Sequence, residues 1–152
     1  RQMCIRDRPN AAQFRKEGED ERDDLKSGHL GVVLQEFAGA VRNVDIHRPI
    51  ITGHSHPRGA AWHNTNEKSW KADSEMQWQQ VLIRDNGEVF DTIGIHIYGD
   101  MDMGREVAGW ARDWPHYLQT LRKVADERGF PIFIGEFGLA NGSGRTPEQV
   151  KE

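Results

Sequence analysis

No apolar run in this 152-residue chain approaches the ~20 residues that a spanning helix needs, so the sequence offers no membrane segment. A basic stripe is missing too. Lysine and arginine number 20 against 24 acidic residues, a net charge of −4, and a chain of that balance without a basic stripe argues against nucleic acid as a partner. There is one cysteine, Cys4, too few for an internal disulfide. The opening "RQMCIRDR" has charge but no apolar core, so it does not read as a secretory leader.

Both ends carry signals of their own. Met3 to Arg8, "MCIRDR", resembles a translated transposon adaptor from sequencing-library preparation, a contaminant of proteins predicted from metagenomic assemblies. Residues 1–8 are therefore expected to be an artefact, Cys4 included. Residues 9–26, with "RKEGEDERDDLK", are too charged to build a core and read as a surface loop or solvated tail. At the other end Thr146-Pro147-Glu148-Gln149 has the cap, the N1 proline and the capping-box glutamine of a helix start. The chain stops before that helix has a body, and the expectation is a fragment truncated at both ends.

Residues 27–152 alternate between two periodicities. A helix is expected from Ser27, with Leu30, Val33, Leu34, Phe37, Val41 and Val44 along one face. Ile50 to Thr52 follow as a short strand. A second helix is expected from a cap at Asp73 through Trp78, Val81 and Leu82 to Asn86-Gly87, then a strand from Val89 to Tyr98. Pro115 opens a third helix bearing Leu118, Leu121, Val124 and Ala125, and Gly129 closes it. The last strand lies in "PIFIGEFG", where Ile132, Phe133 and Ile134 have the texture of a strand covered on both faces. Successive βα units of this kind predict an α/β fold with a mainly parallel sheet.

Each predicted strand ends in polar side chains. The first delivers His54 and His56, the second His96 and Tyr98, the third Glu136. The carboxyl ends of parallel strands are where α/β folds bind ligands, so three such ends in succession suggest one shared site. His96 and Tyr98 are two apart and share a strand face. The segment Ser55 to Lys71 reads as a long loop holding Trp62, His63 and Asn64, and flat aromatics beside imidazole and amide groups suit a sugar, whose faces are C–H and whose edges are hydroxyls.

In order and at a roughly 40-residue spacing, "RPIITGH", "DTIGIHIYG" and "PIFIGEFG" resemble the C-terminal half of glycoside hydrolase family 5, the cellulase-type enzymes. The resemblance runs from about Ser27 to the end. It implies the C-terminal portion of a (β/α)8 TIM barrel, strands five to seven, and retaining cleavage of β-linked glycans by two carboxylates, with cellulose-type glucans or mannans as substrates. It implies Glu136 as the nucleophile, His96 and Tyr98 beside it, and His54, Trp62 and His63 as further substrate contacts. No cofactor and no metal is implied. Secretion or periplasmic export is the family's habit.

The acid/base glutamate of the family ends strand four after an asparagine, and no such strand precedes Ser27. Asn66-Glu67 has the right letters in the wrong place, after strand five, so the acid is expected outside the chain. Two other readings stay open. His54-Ser55-His56 with His96 could serve a metal-dependent hydrolase on the same barrel, although amidohydrolases place their His-x-His on the first strand. A barrel that retains its aromatics but lacks the acid would be a non-catalytic carbohydrate-binding protein.

Overall fold

The computed structural model of the chain describes residues 27–87, 89–98 and 109–138. The adaptor-like start, the charged 9–26 segment and the helix start at Thr146 lie outside them. Among the described residues the elements are α1 (Ser27–Arg42), α2 (Ala61–Glu67), α3 (Glu75–Asn86), β1 (Ile93–Tyr98), α4 (Trp114–Arg128) and β2 (Ile132–Gly138). β1 and β2 pair in parallel with α4 between them in the chain, one βαβ unit. None of the described helices is long and apolar enough to cross a membrane.

Helix ends sit where side chains satisfy free backbone groups. Ser74, not Asp73, caps α3: its hydroxyl accepts from Gln77 N–H while the Gln77 side chain accepts from Ser74 N–H, a reciprocal box that needs a glutamine three residues after the cap. Asp73, one position earlier, serves α2 instead. Its carboxylate accepts from the N–H groups of Trp62 at 2.7 Å and His63 at 3.1 Å. The segment Ser55 to Lys71 is thus not a bare loop. It holds a seven-residue helix, too short to persist alone, pinned at its start from across the chain. For α4, Pro115 lies in the first turn and Gly129, at φ 67°, donates to the carbonyls of Ala125 and Asp126, as the sequence predicts, and Asp113 accepts from His116 N–H.

α3 and α4 pack together against β1. Trp78 and Leu82 from α3, Ile93 and Ile95 from β1, and Tyr117, Leu121, Val124 and Ala125 from α4 form one buried cluster. Each large apolar side chain so removed from water contributes about 1.5–3 kcal/mol. Trp78 is the helix-packing tryptophan that its spacing predicts. Leu118 faces outward, and Tyr117 and Thr120 take the buried positions beside Leu121. Burial pushes the Tyr117 hydroxyl far above its ordinary pKa, because the phenolate would have to form inside that cluster.

Three further expectations change. Ile50 to Thr52 is not a strand of the described sheet. Its polar groups are satisfied otherwise: Ile50 N–H donates to the Asp91 carboxylate at 2.7 Å, Ile50 C=O accepts from Asp91 N–H, and the Thr52 hydroxyl donates to Asn86 at 3.2 Å. It still runs beside β1, since a side chain on Gly94 would meet Thr52 and Ile51. β2 is not covered on both faces. Phe133, Ile134 and Phe137 are exposed, because β1 is the one strand paired with it among the described residues. On α1, which ends at Arg42, Leu34, Ala38 and Val41 reach Ile50 and Phe90, whereas Val33 and Phe37 face outward and Val44 lies past the helix.

Candidate active site

β1 presents two different faces. Ile93 and Ile95 enter the helical core, so the alternating positions Gly94, His96 and Tyr98 fall on the other side. Glu136 of β2 meets them there. The Tyr98 hydroxyl donates to Glu136 Oε2 at 2.7 Å, and His96 Nδ1 lies 3.4 Å from the same oxygen. The hydrogen bond to that carboxylate raises the Tyr98 pKa, with smaller contributions from burial and from the negative charge of Glu136.

Behind this group His56 is buried and donates from Nδ1 to the carbonyl oxygen of His96 at 2.9 Å. It ties the loop after Thr52 to β1 just where the site residues begin. On the same strand Asn86 Oδ1 accepts from Gly94 N–H at 2.9 Å. The sequence shows His56 only as half of a His-x-His pair and Asn86 only as a helix stop. A histidine four residues past a strand-like segment gives no hint that its partner will be a backbone carbonyl on another element.

Glu136, His96 and Tyr98 are the predicted site residues that the fold brings into mutual contact. His54 follows Gly53, whose φ of 65° turns the chain, and its N–H donates to the Thr52 hydroxyl. Trp62 is half-buried on α2, its ring edge-on to His63 with centroids 5.2 Å apart. His63 is buried and held by the helix-capping carboxylate: its Nδ1 donates to Asp73 at 2.7 Å and its Nε2 is 3.8 Å from Glu67. Its ring is engaged within the α2 segment rather than with Glu136. Glu67 itself is the last residue of α2, not a strand end.

A second carboxylate for general acid work would have to stand about 5 Å from Glu136 in a retaining site. In Asn66-Glu67, Asn66 Nδ2 donates back to the Trp62 carbonyl and Glu67 lies 3.8 Å from His63 Nε2, so both side chains are engaged on their own helix. Among the described residues no three His, Cys, Asp or Glu side chains are grouped so as to hold a metal ion. The chemistry that the arrangement does offer is that of one exposed carboxylate, hydrogen-bonded by a phenol and flanked by an imidazole.

A family model described as cellulase (glycosyl hydrolase family 5) matches residues 18–152. No curated protein matches the chain.

Proposed function

The chain belongs to glycosyl hydrolase family 5, a family of (β/α)8 barrels that hydrolyse glycosidic bonds in polysaccharides, and from that premise we propose that Glu136 is the nucleophile in retaining cleavage of a β-linked glycan of the cellulose or mannan type. The observation that carries the reading is the Tyr98–Glu136–His96 contact at the carboxyl end of two parallel strands. A Glu136 oxygen attacks the anomeric carbon, the bond to the leaving oxygen breaks with its electron pair, and a covalent glycosyl-enzyme forms that water later cleaves. The Tyr98 hydroxyl orients the attacking carboxylate. His96 and the flat face of Trp62 contact the sugar.

The acid/base carboxylate we assign to none of the described residues. Unactivated glycans are therefore expected to resist this chain alone, whereas a sugar carrying a good leaving group needs no acid to be displaced. The test uses that difference. Incubate the chain with 2,4-dinitrophenyl 2-deoxy-2-fluoro-β-glucoside, -cellobioside or -mannoside and map any adduct by mass spectrometry. One sugar bound at Glu136, absent from Glu136→Gln, is the expected result. A folded chain that none of the three labels, or that is labelled elsewhere, overturns the assignment.

A further inference from the structure

The ladder between β1 and β2 slips once. Ile93, Gly94 and Ile95 pair with Ile132, Phe133 and Ile134, but His96 pairs with Glu136, so Gly135 is an extra residue in β2 with no partner in β1. In an uninterrupted ladder Gly135 would stand opposite His96, and Glu136 would pair with Ile97 and point to that residue's side of the sheet. The slip reverses this. Ile134 and Glu136 are two apart in sequence, yet Ile134 is in register with Ile95, whose side chain enters the core, while Glu136 reaches His96 and Tyr98 on the opposite face. A bulge re-aims a side chain in this manner.

The identity of the extra residue matters as much as its presence. A methyl carbon on Gly135 would sit 3.0 Å from His96 Nε2, 3.2 Å from His96 Cδ2 and 3.3 Å from Phe133 Cε1. All three are inside the ~3.5–4.0 Å of normal contact between such atoms. The His96 ring therefore lies in space that any other residue at 135 would fill. To make room the His96 ring must shift by a few tenths of an ångström, and with its Nδ1 3.4 Å from Glu136 Oε2 that shift is felt at the carboxylate.

We propose that Gly135 is a positioning residue for the Glu136 site: as the extra residue of β2 it turns the carboxylate to the face of His96 and Tyr98, and by lacking a side chain it admits the His96 imidazole against the strand. The catalytic consequence rests on reading Glu136 as the nucleophile. The geometric part does not.

Two measurements on the full chain separate these. The first follows the Tyr98 phenol by 13C NMR of ring-labelled tyrosine as pH is raised, with Tyr117 as the second resonance. In Gly135→Ala the displaced imidazole disturbs the shared carboxylate, and the Tyr98 titration moves down toward that of free tyrosine while Tyr117 stays in place. The second follows covalent labelling by the fluoro sugar that marks the wild type. Gly135→Ala lowers the maximal labelling rate about tenfold or more, with little change in the sugar concentration for half-saturation, because orientation and not binding is lost. A change acting through the His96 ring must vanish when the ring is gone, so His96→Ala and the His96→Ala/Gly135→Ala double variant should match in both readouts.

Should Gly135→Ala fail to fold, the comparison of His96→Ala with the double variant decides alone. An unchanged Tyr98 titration in Gly135→Ala, or a double variant that differs from His96→Ala, overturns the proposal. If the wild type is never labelled at Glu136, the nucleophile assignment fails, and the positioning role is judged on the Tyr98 resonance.

Discussion

Tyr98 and Glu136, 38 residues apart in sequence, meet through a 2.7 Å hydrogen bond from the tyrosine hydroxyl to the glutamate Oε2 across two paired strands. The bond joins a residue whose type is common on any sheet to the one carboxylate that ends β2. It also makes Tyr98 a reporter on the site.

The chain has two tyrosines, and both are raised above the ordinary phenol value, Tyr98 by its bond to Glu136 and Tyr117 by burial. A raised folded-state value means that the stability each contributes is fully present below the unfolded value near ~10 and is lost as pH rises through the folded one. Ultraviolet titration of the folded chain should therefore show no full phenolate step at ~pH 10. Glu136→Gln should bring one tyrosine down and leave the other. A normal one-tyrosine step at ~pH 10 in the wild type would show that the Tyr98–Glu136 bond is not made.

Asp91 is lowered, first by the Ile50 N–H that it accepts and also by its ion pair with Arg42. The sign follows: its stabilising effect is present above the unfolded value of ~3.9 and disappears as pH falls through the folded one. Asp91→Asn should lower the melting temperature at pH 7 and flatten its decline in acid. A parallel shift at every pH would assign the effect to packing instead.

Asp73 is buried and holds two helix N–H groups and the His63 ring. Asp73→Ala leaves those donors without a partner, at about 1–3 kcal/mol for each group stranded away from water. Asp73→Asn keeps one acceptor oxygen but sets an NH2 group against the donor on the other side, so it should lose less than alanine without matching the wild type. Denaturant midpoints of the two variants make the comparison, and equal losses would mean that one acceptor oxygen is not enough to hold α2.

Trp62 and Trp78 should behave oppositely. Trp78 is fully buried between α3, α4 and β1, and Trp78→Ala should cost about 3–5 kcal/mol. Trp62 is half-buried on a short helix, so Trp62→Ala should change the melting temperature little and weaken binding of cello- or manno-oligosaccharides. Calorimetric binding unchanged in Trp62→Ala would remove it from the sugar contacts.

Much of this architecture is written locally. Pro115 and Gly129 bracket α4 because proline's fixed φ and glycine's access to positive φ act within one turn. Trp78, Leu82, Leu121 and Val124 announce the buried helix faces through spacing alone. The strand texture before Glu136 and the His96-x-Tyr98 pair were equally legible, since alternation in a strand needs no partner to be read. Other features depend on what the chain meets at a distance. Whether Ile50 to Thr52 joins the sheet is decided by Asp91 and Asn86, whose side chains satisfy its polar groups. His63 has the look of a sugar ligand and becomes the partner of Asp73, because a buried imidazole must find a hydrogen bond wherever the fold offers one. Above all, alternation by itself would aim Glu136 to the side of Ile134. Only the pairing of two strands, one of them a residue longer at Gly135, turns it to His96 and Tyr98, since register belongs to a pair of strands and not to either sequence.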